Sequence, residues 1–307
     1  MVNLLRIAVL IHEHDDFEGG GYLLRRLCDE WERQGARVSV VRVGQKPWPE
    51  AELAILHADI TAVGDEYRAL LSHYPRVING RATDVSKRVV SELILARDDE
   101  YAGPVIVKTN ANFGGLREVP RAELLSRPVP KSWQEVTWLV DYPIFDRMSR
   151  VPAGVWQNPH LVVEKFLPER NDAKRVNDGA APAPSDQEYV LRVWVFLGNQ
   201  SIHYRCISKS PVIKGRNTLR RELLDADVPA ELRARRAELG FDYGKFDYAL
   251  VDGKAVLYDA NRTPGTPGDQ SAWQSFGQPA QEASQERIRR LSEGLQHFLG
   301  TAEVRSS

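Results

Sequence analysis

Thiols are scarce in this chain of 307 residues: Cys28 and Cys206 are the only two, far apart and outside any redox or metal-binding spacing. That excludes a disulfide framework and a cysteine-built zinc site, and leaves buried thiols in a reducing cytosol as the expectation. Net charge is missing too, since 41 Lys and Arg stand against 42 Asp and Glu, a balance of −1. With no excess of either sign there is no electrostatic case for a nucleic-acid or membrane partner, and any phosphate binding must come from local clusters. Apolar runs are short. Leu4–Ile11 cannot span a bilayer and lacks the small-residue pattern of a cleaved signal, so a cytoplasmic protein is expected. No repeat of fixed period is evident. No Ser/His/Asp or Cys/His set stands out either, so a protein nucleophile is not expected.

What is present is an ordinary globular balance, 42% hydrophobic and 27% charged, on a length that allows two or three modules and a cleft between them. Leu4–Ile11 reads as a strand covered on both faces. Leu24, Leu27, Cys28 and Trp31 then recur at helical spacing, with Gly35 just past the expected end. Strand patterns over Arg37–Val43, Leu53–Leu56 and Arg76–Ile78, with a helix over Glu66–Ser72, complete an alternation that favours a parallel sheet. The loop after the first strand holds His12, Glu13, His14, Asp15 and Asp16. Neighbours in a loop rarely converge on one ion unaided, so contact with a substrate at the carboxyl end of the strand is favoured over metal. Gly19-Gly20-Gly21 either brings amides toward an anion or simply loosens the start of the helix.

In the middle of the chain, Thr83 or Asp84 is placed to cap a helix whose apolar positions are Val85, Val89, Val90, Leu93 and Ile94. Lys87 lies about 200° around that helix from Val85 and is expected to face solvent. Gly103–Lys108 reads as a strand ending in a lysine, before a loop with Gly114 and Gly115, an arrangement that can set an ammonium and amides around phosphates or be a plain turn. Leu161–Leu167 is a second apolar strand, and the polar stretch from Glu169 to Gln187 is expected to stay mobile. Tyr189–Leu197 and Ser201–Ile207 are strand-like and carry Arg192 and Arg205. A charge inside an apolar run is costly unless paired or facing a cleft, so these arginines, with Lys209 and Lys214, are candidates for a basic wall or for edge positions.

Phe241–Gly265 has the strongest pattern. Val251-Asp252-Gly253-Lys254 joins two runs rich in Tyr, Val, Ala and Leu, a hairpin signal. The first strand holds Asp247 and the second ends in Asp259 and Asn261. Residues two apart share a face, so Asp259 and Asn261 project together, with Asp247 able to face them. Three hard oxygen donors can hold Mg²⁺ that also grips a polyphosphate, or can cap the turn Arg262-Thr263-Pro264-Gly265. The tail over 280–299, with Ile288, Leu291, Leu295 and Phe298 at helical spacing, reads as a packing helix.

The order of Lys87, Lys108 with Gly114-Gly115, Val163–Leu167 with Glu169, Arg192, Asp247, and Asp259-Ala260-Asn261-Arg262-Thr263-Pro264-Gly265 resembles the ATP-grasp superfamily. The likeness is greatest to its glutathione synthetase and alpha-L-glutamate ligase branch, and it runs from about Asn79 to Gly265. The resemblance implies an α/β (α+β) ATP-grasp fold. A Rossmann-like pre-ATP-grasp domain would occupy 1–80 and the grasp 81–307, with a lid over about 100–168 and a C-terminal subdomain over about 188–307. It further implies that Lys87 and Lys108 touch ATP phosphates and that Glu164, Lys165, Phe166 and Leu167 meet adenine. Glu169 would take the ribose, and Arg192, with Arg205 near it, the γ-phosphate or acyl phosphate. Asp247, Asp259 and Asn261 would hold Mg²⁺. Asp259 stands where the family usually has glutamate, and Val190 where an aspartate commonly precedes the arginine by two. The implied activity is ATP-dependent ligation of a small-molecule or peptide carboxylate to an amine through an acyl phosphate, with release of ADP and phosphate. A small-molecule kinase and a non-catalytic ATP-binding module are the alternatives. An acceptor pocket is expected near His12, His14, Lys209 and Thr266, and a homo-oligomer is left open.

Overall fold

The computed structural model describes residues 4–19, 21–171, 187–266 and 280–299. The opening apolar run forms β1 (Arg6–Ile11), whose residues from Ile7 on are at most 1% exposed. Burial on both faces follows from its central place in a parallel sheet with β2 (Arg37–Arg42), β3 (Leu53–Leu56) and β4 (Val77–Ile78), ordered β2-β1-β3-β4. Helix α1 (Leu23–Arg33) links β1 to β2 and buries Leu24, Leu27, Cys28 and Trp31, the stripe that its periodicity predicts; α2 (Glu66–His73) precedes β4.

A helix over Val85–Ile94 does not form. Only one turn exists, α3 (Lys87–Val90), and beyond it the chain runs alongside a later strand, with Leu95 N donating to Val163 O and Lys165 N to Leu93 O. The β-branched, apolar Val-Val-Ser-Glu-Leu-Ile-Leu stretch satisfies its amides better on a strand edge than in a helix. The single turn is also rotated from the expected setting: Val89 is 39% exposed and Lys87 only 4%.

A three-stranded antiparallel sheet comes next, β6-β5-β7, from β5 (Val105–Thr109), β6 (Ile144–Phe145) and β7 (Leu161–Lys165). Val105, Val107, Val155, Leu161 and Val163 give it a core of its own. Glu169–Arg170, expected to be mobile, is a short strand, β8, paired with β9 (Tyr189–Leu197); residues 172–186 of that polar stretch lie outside the described residues.

Strand β9 sits inside a six-stranded sheet with β8, β10 (Gln200–Ser208), β11 (Arg220–Leu223), β12 (Tyr243–Val251) and β13 (Lys254–Asn261), ordered β11-β10-β9-β12-β13 with β8 off that path beside β9. Its strands alternate between two buried faces. Val193, Val195, Leu197, Tyr204 and Tyr243 share a core with β1, β3 and α1, which Leu291 and Leu295 at the end of the last helix close. Trp194, Phe196, Phe246 and Tyr248 line the other face and pack under Val228 and Leu232. Both cysteines are free and buried. No described helix is long and apolar enough to cross a membrane.

Candidate active site

The three-stranded sheet faces the β12–β13 hairpin across a cavity of about 140 Å³. Lys108 reaches it from β5 and Glu164 from β7. In the antiparallel register Ile106 lies opposite Glu164, so Lys108, two residues on, shares its face. Lys108 Nζ stands 2.6 Å from Glu164 Oε2, while Glu164 Oε1 is buried with no partner. Lys165, Phe166 and Leu167 continue the wall. The turn Asp252-Gly253, with φ of 50° and 78°, twists the hairpin as a two-residue primed turn requires.

Across that hairpin Asp247 pairs with Asp259 and Lys245 with Asn261, so all four share one face. Between Asp247 and Tyr248 the register shifts, and Tyr258 becomes an extra residue. The bulge lets Tyr258 and Asp259, adjacent in sequence, both line the cavity. The Tyr258 ring lies 5.7 Å from Lys108 Nζ, and its hydroxyl donates to Leu167 O.

Each carboxylate here has a cation. Lys87 Nζ is 2.6 Å from Asp259 Oδ1, and Lys245 Nζ is 2.8 Å from Asp247 Oδ2. Burial pulls the Lys87 ammonium down, but Asp259 outweighs it and holds the group above its ordinary value. Burial pushes the Asp247 carboxyl up despite Lys245. Mg²⁺ takes one or two carboxylates plus phosphate oxygens. Asp247 Oδ1, buried without a partner, and Asp259, whose Oδ2 lies outside its lysine pair, fit that demand. Asn261 Oδ1 instead accepts from Thr263 N at 2.7 Å, the capping role.

Thus the structure gathers Lys87, Lys108, Glu164–Leu167, Asp247 and Asp259 around one cavity, and Lys87 is turned inward rather than to solvent. It does not gather Arg192 and Arg205 there. Val193 lies opposite Asp247, so Arg192, one residue away, emerges on the other face with Tyr248, and Arg205 pairs with Arg192. Arg192 is bound by Glu169 through contacts of 2.8–3.0 Å, and Glu169 also accepts from Leu250 N; Arg205 pairs with Glu222 at 2.6 Å. The basic wall is therefore two ion pairs on the far face, while Lys214 lies over the Tyr142 ring at 4.5 Å. Gly114 and Gly115, at φ of 69° and 79°, fold against Leu139 and Thr137 and are absent from the cavity wall. Sequence reasoning missed Lys245, though its place two before Asp247 carries a strand-period signal. It missed Tyr258 as well, since nothing in the sequence marks the bulge.

A second cavity, about 490 Å³, opens where the loops after β1 and β5 meet, lined by His12, His14, Asp15, Asp59, Phe113 and Arg117 among others. Lys209 and Thr266 are not in its wall; Thr266 N and Oγ1 both donate to Gly21 O at 2.7 Å. Burial raises the Asp15 carboxyl to about 6. Tyr22 donates to Asp59 Oδ2 at 2.9 Å, and Thr263 Oγ1 lies 2.8 Å from Asp59 Oδ1 and 2.9 Å from Asn261 Oδ1. Next along the chain, Arg262 is 1% exposed and donates to Ala58 O, Ile60 O and Ala82 O at 2.6–3.0 Å, pinning β13 to the first sheet. A further hollow, about 890 Å³, lies between β10 and the helix Ala230–Glu238, away from all these groups.

No family model matches the sequence, and no curated protein does. Solved structures do match. D-cycloserine synthetase DcsG superposes with a TM-score of 0.50 at 13% identity, over 96% of this chain and 99% of that one. An ATP-grasp ligase, PsnB, complexed with a phosphomimetic variant of its minimal precursor, Mg and ADP, gives 0.49 at 11% identity, over 94% and 100%. D-alanine–D-alanine ligase from Bacillus anthracis gives 0.48 at 13%, over 96% and 98%. The fold is the α+β fold shared with DcsG, a parallel sheet followed by a small sheet and a larger antiparallel one.

Proposed function

We propose that this protein is an ATP-dependent ligase that joins a carboxylate to an amine through an acyl phosphate, using Mg²⁺. The observation that carries the reading is the convergence of Lys87, Lys108, Glu164, Asp247 and Asp259, from four strands and a helical turn, on one cavity. Such chemistry needs positioning and neutralised charge more than a protein nucleophile. In this reading the walls formed by Glu164–Leu167 and Tyr258 take the base, and a cavity of about 140 Å³ must open to admit the nucleotide. Lys108 and Lys87 turn from their carboxylates to phosphate oxygens. Asp247 and Asp259 would hold Mg²⁺, which would supply Lewis-acid polarisation of the transferred phosphoryl group. Residues 1–80 form the pre-grasp domain and supply one wall of the acceptor cavity at His12 and Asp15. Residues 81–307 form the grasp, with the lid over about 100–168.

The test is a screen of amino acids and small or peptide carboxylates, paired with amines, that reads nucleotide turnover. ADP and phosphate released only when both co-substrates are present is the expected result. Release of AMP and pyrophosphate would overturn the reading. A stable phosphorylated product that needs no amine would make the protein a kinase. Tight ATP binding with no turnover would make it a binding module.

A further inference from the structure

The loop after β1 has a geometry that the nucleotide site does not use. His12, Glu13 and His14 each bring a ligand atom to within 4.8 Å of the other two. His14 Nε2 and Glu13 Oε1 are 3.2 Å apart, close to the edge of a tetrahedron with metal bonds of about 2.0 Å. His12 Nδ1 lies 3.2 Å from the Tyr67 hydroxyl, which orients the ring and leaves Nε2 to an ion, as the outer partners of metal-bound histidines do. Arg42 holds the loop from beneath by donating to Glu13 O at 3.2 Å and Asp15 O at 2.7 Å.

An independent observation comes from Asp15. It is 9% exposed, lines the adjoining cavity, and neither of its carboxylate oxygens has a hydrogen-bond partner. Arg117 and the neighbouring Tyr22 and Asp59 amide offset part of the cost of that burial, and a cation at the mouth of the cavity would offset more. We infer that His12, Glu13 and His14 bind one first-row divalent cation of the zinc class, its remaining position open to water. Two imidazoles and a carboxylate favour zinc, nickel or cobalt over magnesium, so this site and the nucleotide cavity select different ions.

The test titrates the full chain, without nucleotide, with Zn²⁺ in a calorimeter and with Co²⁺ followed by visible absorption. One equivalent is expected to bind, with the intense Co²⁺ bands of a four-coordinate site. His14 is 49% exposed, so His14→Ala carries little folding risk; it should weaken binding by more than tenfold, and Tyr67→Phe by roughly tenfold. Asp259→Asn should leave the zinc affinity unchanged. Absence of binding at millimolar Zn²⁺, wild-type affinity in His14→Ala, or the weak spectrum of six-oxygen cobalt would each overturn the inference.

Discussion

Lys87 and Asp259 illustrate how much rests on single side chains here. Lys87 is 4% exposed and its ammonium has one carboxylate at 2.6 Å, so removing it strands Asp259 on a largely buried face. Lys87→Met is expected to cost about 2 kcal/mol, below the range for fully buried pairs because Asp259 keeps some solvent contact. Adding Asp259→Asn should return part of that loss, a coupling that urea denaturation of the two single variants and the double variant would reveal. Equal and additive losses would mean that the pair is not energetically coupled. Lys87 also marks where residue-level reading failed. Its type and place in the chain were legible, but its direction was not, because a helical period was applied to a stretch that makes only one turn.

At the scale of elements, the β12–β13 hairpin explains what the sequence could and could not reveal. Alternation was enough to put Asp259 and Asn261 on one face, but the Asp-Gly turn alone would pair Asp247 with Tyr258, and only the bulge brings Asp247 opposite Asp259. The register of β9 against β12 was not legible either, and a single residue of it puts Arg192 on the opposite face. Period two makes that choice binary, and no local signal settles it. Tyr258 is the other hidden feature. Deleting it should leave an unbroken ladder, because Asp247–Asp259 and Tyr248–Leu257 already pair on either side. The expected outcome is a folded protein whose affinity for adenine nucleotides drops by on the order of tenfold, the equivalent of about 1.4 kcal/mol. Fluorescence titration would measure it, and unchanged affinity would remove Tyr258 from the base-binding wall.

For the whole molecule, the relevant fact is that the first sheet and the six-stranded sheet share one core. His57 lies at that junction, fully buried against Phe17, Tyr22 and Tyr243, with neither ring nitrogen hydrogen-bonded. Burial, aided by the Arg262 charge, lowers its pKa from 6.5 to about 3. Above pH 6.5 the ring is neutral folded or unfolded and contributes no pH dependence. As pH falls from there, the unfolded chain takes up a proton that the folded one refuses, so stability drops by up to about 1.4 kcal/mol per pH unit until about pH 3. Asp15, raised to about 6, contributes with the opposite sign in the same window, so the checking measurement is the difference in the slope of denaturation midpoints between pH 7 and 4 of wild type and His57→Phe, expected at about one proton. An unaltered slope in that variant would assign the acid sensitivity elsewhere. The buried His57 was not legible beforehand, because its seclusion comes from contacts between segments almost two hundred residues apart.

Thr263 carries one hydroxyl hydrogen and has two oxygens in reach, one belonging to Asp59 and the other to Asn261. The hydrogen serves one of them at a time. Seated next to the buried Arg262, this one small side chain ties the floor of the second cavity to the end of the hairpin, and a valine in its place would withdraw the donor that Asp59 and Asn261 share.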